Sequence, residues 1–188
     1  MQLGHLPKRL LKVHPPTCAG CMYGVMTKRP WTHLPRSKRS KLNKAVKPGQ
    51  VISVDELESG TPGFIAHLKG NLTKRRYTTA TVFVDHYSRL SYVHLQRSTS
   101  SDETLEAKRA FESFCSTRNV RLMHYHADNG SFQDKAFMGD LHSKGQTISF
   151  CGVNVHFQNG IAEKRIRDLQ EKARKMLLHA IERWPSSV

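Results

Sequence analysis

The chain has 188 residues, of which 38% are hydrophobic, enough to bury the core of one ordinary domain. Its 30 lysines and arginines outweigh 15 aspartates and glutamates, and the formal net charge of +15 favours nucleic acid over an anionic membrane surface as partner. No apolar run approaches the roughly 20 residues of a spanning helix, no signal segment follows Met1, and four cysteines make no secreted disulfide framework, so we expect an intracellular protein.

The charge is distributed unevenly along the chain. Residues 1–54 contain no aspartate or glutamate, whereas lysines, arginines and prolines run through them. Such a segment does not easily form a core of its own. From Val51 onward the hydrophobic pattern is that of a globular domain, so the boundary is predicted near Pro48-Gly49. This divides the chain into a basic amino-terminal segment at 1–48 and a folded domain at 49–188.

Hydrophobic patterning after residue 50 predicts five strands and three helices. The strands are predicted at 51–55, 78–85, 90–96, 120–127 and 147–151, and the helices at 100–117, at 134–143 and over five or six turns from about residue 161. The link at 86–89 has the length of a turn, which makes the second and third strands antiparallel neighbours. Ser100 and Glu103 resemble a capping box at the start of the first helix. Residues 58–76 are predicted to form a long hairpin loop.

The order of these elements predicts the fold class. Three antiparallel strands followed by strand, helix, strand and helix indicate an α/β domain with helices on the faces of one sheet. The order fits a ribonuclease-H-like fold, with a mixed five-stranded sheet and helices on both faces. In that fold Asp55 would lie on the first strand and Asp128 at the end of the adjacent fourth strand. Glu163 would reach both from the last helix.

Asp55, Asp128 and Glu163 are acidic residues at the ends of predicted elements in a strongly basic chain. Mg²⁺ prefers carboxylate oxygens and usually takes one or two of them together with substrate phosphates, so the three acids predict a divalent-cation site at a phosphodiester. Each residue also has a simpler explanation when it is taken alone. Asp55 could be a surface acid at a strand end, Asp128 part of an ordinary turn, and Glu163 a first-turn acid stabilised by the helix dipole.

Four sequence blocks, in order over residues 51–178, resemble the integrase core of copia-type long-terminal-repeat retrotransposons, within the retroviral-integrase (DDE) superfamily. The blocks are Ile52-Ser53-Val54-Asp55, Val84-Asp85-His86-Tyr87-Ser88-Arg89, His126-Ala127-Asp128-Asn129-Gly130, and Gln158-Asn159-Gly160-Ile161-Ala162-Glu163 with Ala173-Arg174-Lys175-Met176-Leu177. The chain departs from the family in having 34 residues (129–162) between the last two acids, one fewer than is common. His156-Phe157 also replaces the usual proline-containing lead-in.

The resemblance implies a segment of a Pol polyprotein whose catalytic triad is Asp55, Asp128 and Glu163, holding two Mg²⁺ or Mn²⁺ ions. It implies 3′-end processing and DNA strand transfer, with the element's ends and target DNA as partners. A homo-oligomer is expected, acting in the nucleus and otherwise carried in cytoplasmic particles. Asp85 is not expected to be a fourth ligand, since the family's equivalent is not catalytic and a turn-capping role explains it.

The helix that carries Glu163 and the segment before it are also expected to contact DNA. Gln158 is a substrate contact by analogy with the family, and Asn159 also suits the N-cap of the helix. Arg167 is one turn beyond Glu163 on the same face, where it contacts phosphate or pairs with Glu163 or Glu171. The full set of predicted DNA-binding residues is Gln158, Asn159, Lys164 and Arg167.

The sequence Cys18-Ala19-Gly20-Cys21, followed by Lys28-Arg29-Pro30-Trp31, resembles the cysteine half of the family's amino-terminal His-His-Cys-Cys zinc module. A closed structural zinc site needs four ligands. His5 and His14 do not stand at the spacing of the family's histidine pair, so the remaining ligands for Zn²⁺ are expected upstream of this segment. Cys115 and Cys151 stand alone in a helix and a strand, where we expect them to pack in the core.

Three functional hypotheses follow. The first is an integrase catalytic core, and the second is a catalytically inactive retroelement fragment that binds nucleic acid through its basic surface. The third is another ribonuclease-H-like nuclease, such as a transposase or resolvase, which the four-block match disfavours. Metal-dependent joining of a branched DNA substrate distinguishes the first hypothesis from the second.

Overall fold

The structure is a computed structural model that describes residues 18–25, 45–63, 74–151 and 159–183. The chain divides into two compact units, one of residues 36–168 and the other of residues 1–35 with 169–188. Predictions for His5, His14, Gln158 and the His156-Phe157 lead-in lie outside the described residues. No helix in the described ranges has both the length and the apolar character needed to cross a membrane.

The unit of residues 36–168 contains a five-stranded sheet. Its strands are β1 (Ile52–Gly63), β2 (Tyr77–Asp85), β3 (Ser91–Gln96), β4 (His124–Ala127) and β5 (Thr147–Phe150). They lie in the order β3-β2-β1-β4-β5, with antiparallel pairing among the first three strands of the chain and parallel pairing of β4 with β1 and β5. This is the mixed five-stranded α/β arrangement predicted from the order of elements.

One face of the sheet packs against helices α2 (Ser101–Ser116) and α3 (Lys135–Ser143). Ile52 and Val54 are fully buried in this core, where the rings of Phe83 and Phe111 stack with their centroids 4.6 Å apart. Because side chains alternate along a strand, Ser53 and Asp55 project from the opposite face. The hydrophobic pattern of β1 therefore keeps the Asp55 carboxylate out of the main core.

Two strands differ in length from their predictions. β1 continues to Gly63, so the first part of the predicted 58–76 loop is strand, paired with β2 through an irregularity after Glu58. β4 begins at His124 instead of Val120. The residues directly after α2 form the turn that ends this helix, so they are not free to pair as strand. In this turn Asn119 adopts a φ of +56°, and the Val120 N–H donates to the Cys115 carbonyl.

The predicted capping box at α2 is wrong. The Ser100 side chain makes no capping hydrogen bond, and the Glu103 carboxylate instead accepts from the backbone N–H of Arg97 at 2.6 Å. Glu103 thus accepts a hydrogen bond from the backbone of the chain between β3 and α2 and does not complete the capping box. At α3 the side chain of Asp134 accepts from the Ala136 N–H at 2.8 Å, so that helix is capped as its sequence suggests.

A buried ionic cluster joins α2 to α3 and β4. Lys108 has no exposed side-chain surface, and its Nζ lies 2.6 Å from Asp140 and 2.7 Å from Glu112. Lys144 bridges the same two carboxylates, and the Tyr125 hydroxyl donates to Glu112 at 3.0 Å. These hydrogen bonds to charged groups offset the cost of removing the lysine from water.

The second unit contains helix α1 (Ala19–Val25) and the part of α4 (Gly160–Arg183) from residue 169 onward. A Cβ atom at Gly24 would lie 2.4 Å from Cγ of Lys175, and one at Gly20 would lie 3.2 Å from the backbone nitrogen of His179. These two glycines, one turn apart, therefore let α1 approach α4 closely. Helix α1 was not predicted from the sequence. Cys18 directly precedes it, Cys21 lies in its first turn, and the helix ends at Val25.

Candidate active site

The parallel pairing of β1 with β4 places Asp55, within β1, beside Asp128, which directly follows β4. Ser53 lies opposite His126 in the last pair of that register. Asp55 and Asp128 each follow by two residues, which keeps both on the face away from the α2–α3 core. The two acids therefore flank the point where the paired segment ends.

Glu163 enters from the first turn of α4, and side-chain hydrogen bonds hold that turn to the sheet and a neighbouring turn. Nδ2 of Asn159 donates to the backbone carbonyl of Val54 at 2.9 Å. Six residues along, Nη2 of Arg165 donates to the carbonyl of Arg89 at 2.8 Å. The helical turn that carries Glu163 is therefore held by one hydrogen bond before this residue and one after it.

The three carboxylates act on one another. Burial, together with the negative charges of Glu163 and Asp128, raises the pKa of Asp55 to about 6 against the opposing hydrogen bond from the Glu56 N–H. Without a cation, roughly a tenth of Asp55 is therefore protonated at pH 7, and about half at pH 6. The structure thus places Asp128 and Glu163 near enough to Asp55 for their charges to act on it. The catalytic and metal-binding roles of the three acids stay predictions.

Cys151 lies beside the acids. The side chain is buried, and burial followed by the charges of Asp128, Glu163 and Asp55 raises the pKa of its thiol. Its carbonyl accepts from Nδ2 of Asn129 at 3.0 Å, which ties the loop after β4 to the end of β5. Cys115 and Cys151 are both buried, but only Cys115 belongs to the main hydrophobic cluster between the sheet and the helices.

A row of histidines and serines continues from the acids along the same face of the sheet. Oγ of Ser53 lies 2.7 Å from Nε2 of His86, and Oγ of Ser149 lies 2.8 Å from Nδ1 of His126 and 2.9 Å from Nε2 of His124. Burial, with the charge of Arg89, lowers the pKa of His86 to about 4, so this imidazole is neutral at pH 7. The row was missed from the sequence, although Ser53 and His126, two positions before Asp55 and Asp128, are its signal.

Asp85 stabilises a turn, as predicted. Its Oδ2 accepts from the backbone N–H of Ser88 at 2.7 Å and from the Ser88 hydroxyl at 2.6 Å, and its Oδ1 accepts from the Gly49 N–H at 3.0 Å. It pairs opposite Ile52, on the core face of the sheet, whereas Asp55 is on the other face. It is therefore separate from the acidic site.

The predicted DNA contacts have different surroundings. Asn159 is 2% exposed and its amide is engaged with Val54, which corrects the prediction of a direct DNA contact for this residue. Lys164 and Arg167 are exposed on α4. Within the described ranges, Arg167 forms no ion pair with Glu163 or Glu171, the alternative partners considered for it.

The chemistry of the acidic site suits Mg²⁺ or Mn²⁺, since hard divalent cations prefer carboxylate oxygens. Among the described residues, no three histidine, cysteine, aspartate or glutamate side chains converge closely enough to enclose a metal unaided. One or two carboxylates with substrate phosphates suffice for Mg²⁺, so the donor set fits without a closed cage. At Cys18 and Cys21 the contact in the structure is a hydrogen bond from the Cys21 N–H to the Cys18 sulfur at 3.4 Å. Zinc binding there stays a prediction.

A large cavity of the sheet lies away from the three acids. A cavity of about 1010 Å³ lies near the amino ends of β1, β4 and β5, bounded by residues such as Lys47, Arg121 and Thr147, and none of the three acids contributes to it. Asp55, Asp128 and Glu163 are half-buried and lie away from this cavity.

Comparison with known proteins defines the fold. No protein-family model and no curated protein sequence matches the chain. An intasome of simian T-cell lymphotropic virus in complex with PP2A regulatory subunit B56 gamma matches with a TM-score of 0.58 and 14% identity, over 84% of this chain and 50% of that chain. At 14% identity, this match shows that the two chains share a fold. The chain spans half the length of the intasome chain it matches.

Two isolated integrase cores are also similar to the chain. The HTLV-2 integrase core in complex with magnesium gives a TM-score of 0.46 and 18% identity, over 76% of this chain and 78% of that one. The BIV integrase core gives a TM-score of 0.47 and 14% identity, over 71% and 82% of the two chains. The predicted α/β, ribonuclease-H-like class is confirmed, and the copia-type assignment stays a prediction.

Proposed function

We propose that this chain is an integrase catalytic core of a copia-type retrotransposon, which cuts and joins DNA with Mg²⁺ or Mn²⁺. The observation that supports it best is the meeting of Asp55, Asp128 and Glu163, from two adjacent strands and a helix, with charges that influence one another. The integrase-core fold and the net charge of +15 support the same proposal.

Asp55, Asp128 and Glu163 would hold the divalent cations together with phosphate oxygens of the substrate. Bound cations would activate an attacking hydroxyl and stabilise the leaving 3′ oxygen, so no protein nucleophile is required. The chain's own contribution is to hold three carboxylates on rigid elements at an open edge. Since Asp55 is partly protonated near neutral pH, binding of a cation would release a proton from it.

The substrates proposed are the ends of the element and its target DNA. Water would attack in 3′-end processing, and the 3′ hydroxyl itself would attack in strand transfer. The exposed side chains of Lys164 and Arg167, beside Glu163 on α4, would attract the phosphate backbone. Action on DNA implies a nuclear site of action and, because two DNA ends must be held, a homo-oligomer.

The amino-terminal segment has a proposed role of its own. Residues 1–48 would belong to a zinc module in which Cys18 and Cys21 supply two of four ligands, and residues 49–188 would form the catalytic domain. The cysteines stand at i and i+3 at the start of α1, and this spacing supports the proposal.

A disintegration assay, in which the protein joins strands of a branched DNA, tests the proposed activity. We expect joining to require Mg²⁺ or Mn²⁺ and to fall by at least about 100-fold in Asp128→Asn, since a metal-binding carboxylate is lost. Asp134→Asn is the matched control, because it makes the same change at the cap of α3 and an asparagine still caps a helix. Equal rates in Asp128→Asn and the wild type would contradict the triad.

A nucleic-acid-binding fragment without catalytic activity is the second candidate. The observation in its favour is the net charge of +15, which alone is enough for salt-sensitive DNA binding. Tight binding of the branched DNA without joining in either metal would identify this case.

A further inference from the structure

We propose that Asn159 is a positioning residue, whose amide sets the distance between Glu163 and Asp55 by binding the carbonyl of Val54. The inference rests on the proposed function and assigns Asn159 a role other than contact with DNA. The amide lies between the two elements that carry these carboxylates, and its burial removes it from the DNA-facing surface.

The acceptor lies where the sheet opens. The register between β1 and β4 ends at Ser53 and His126, and Val54 is the next residue of β1. Val54 is fully buried and Asn159 is 2% exposed, so the hydrogen bond of 2.9 Å between them is shielded from water. A buried carbonyl that lost this donor would pay the full cost of an unmade hydrogen bond.

The bond connects the two acids by a short path. The Val54 carbonyl belongs to the peptide that joins Val54 to Asp55, and Glu163 follows Asn159 by four residues, about one helical turn. A shift of Asn159 along the strand would therefore move Glu163 by a similar distance relative to Asp55. Misplacement of a reacting group by about 1 Å can cost about 100-fold in rate.

Other forces on the first turn of α4 do not fix it as firmly. Ala162 is the one buried residue of α4, so little apolar surface holds this helix in register. The second anchor, from Arg165 to the carbonyl of Arg89, is exposed and competes with water. The charges of Glu163 and Asp55 repel one another, and the amide of Asn159 holds the helix against that repulsion.

Asn159→Ser tests this role because serine can still cap a helix but is too short to reach the Val54 carbonyl. We expect kcat for strand joining to fall about tenfold to 100-fold while KM for DNA changes by less than about twofold. We also expect hydrogen exchange of the amides at residues 160–163 to accelerate, with an unchanged circular dichroism spectrum. Lys164→Ala is the contrasting variant, for which KM rises and kcat is retained.

Asn159→Asp provides a second variant of the same size that lacks the donor, and we expect the same loss of kcat and faster exchange. A raised KM with unchanged kcat in Asn159→Ser would show a DNA contact and overturn the proposal. Unchanged kcat and exchange would also overturn it. A wild-type chain that joins no DNA would contradict the proposed function and not the role of Asn159. In that case hydrogen exchange alone still tests the role of Asn159, and unchanged exchange in both variants would refute the link to Val54.

Discussion

Ser53 and His126 lie opposite one another in β1 and β4, and each stands two residues before an acidic residue of the candidate site. Because side chains alternate along strands, this pairing places Asp55 and Asp128 on one face and leaves Ile52 and Val54 for the core. The register that builds the hydrophobic core therefore also assembles the acids. Their proximity is built into the fold before any cation binds.

Replacement of Asp55 should stabilise the protein in the absence of metal. The folded chain holds this carboxylate half-buried near two other acids, which raises its pKa to about 6 from 3.8. We expect Asp55→Asn to increase the free energy of unfolding in urea with EDTA by about 1 kcal/mol at pH 7, after discounting for solvent exposure. Asp102→Asn, at the exposed first turn of α2, should be neutral or slightly destabilising because it removes a favourable helix-dipole interaction.

The stabilisation by Asp55→Asn should depend on pH in a defined way. Asp55 binds a proton more tightly in the folded state, so its ionisation costs stability as pH rises from about 3.8 to about 6. The difference between variant and wild type should therefore be near zero at pH 3.5, grow through this interval and level off above pH 6. A difference that is constant over the interval would contradict the electrostatic explanation.

Lys108 should be one of the most sensitive positions for stability. Its removal leaves Glu112 and Asp140 without their fully buried partner, although Lys144 still contacts both. We expect Lys108→Met to lower the free energy of unfolding by about 3 kcal/mol in urea denaturation. Arg109→Met is the matched control, because Arg109 pairs with the same Asp140 but is 61% exposed, and its loss should cost less than about 1 kcal/mol.

The same cluster predicts acid sensitivity. Burial alone would raise the pKa of Glu112 and Asp140, but hydrogen bonds from Lys108 and Lys144 outweigh it and lower both below their ordinary values of 4.5 and 3.8. The stability they contribute is thus complete above about pH 4.5 and lost as pH falls through the folded-state pKa values. Unfolding free energies measured between pH 5 and pH 2 should fall less steeply in Lys108→Met than in the wild type.

Lys164 and Arg167 should contribute to DNA affinity through phosphate. We expect each change to alanine to weaken binding of unrelated duplexes about equally, and to reduce the slope of log K against log salt concentration by about 1. Lys47→Ala provides a control, since this exposed lysine is at the opposite end of the strands from Asp128. Equal slopes for all three variants would contradict a DNA-binding face at the start of α4.

The sequence predicted the fold and the location of the acids because both depend on local patterns. The hydrophobic run of β2, the short link before β3 and the position of Asp55 and Asp128 in or directly after strand-forming runs are visible without tertiary information. The four integrase-like blocks supplied the expectation that Glu163 joins them. The geometry then follows from the pairing of β1 with β4.

Features that depend on distant residues were not predictable from local patterns. Lys108 has the sequence context of a surface lysine on α2, and its burial follows from Asp140, 32 residues later. Glu103 was expected to complete a capping box but bonds the chain after β3 instead. Asn159 was assigned to DNA because nothing in the sequence shows that its amide reaches Val54, 105 residues earlier.

The most direct test of the acidic site is a crystal structure of the chain soaked in Mn²⁺, with anomalous diffraction measured at the manganese edge. We predict an anomalous peak between the carboxylates of Asp55 and Asp128, with Glu163 on the same side, that is absent from crystals of Asp128→Asn. A peak that persists in Asp128→Asn, or Mn²⁺ bound only at other carboxylates in wild-type crystals, would contradict the assignment of these three residues as the metal site.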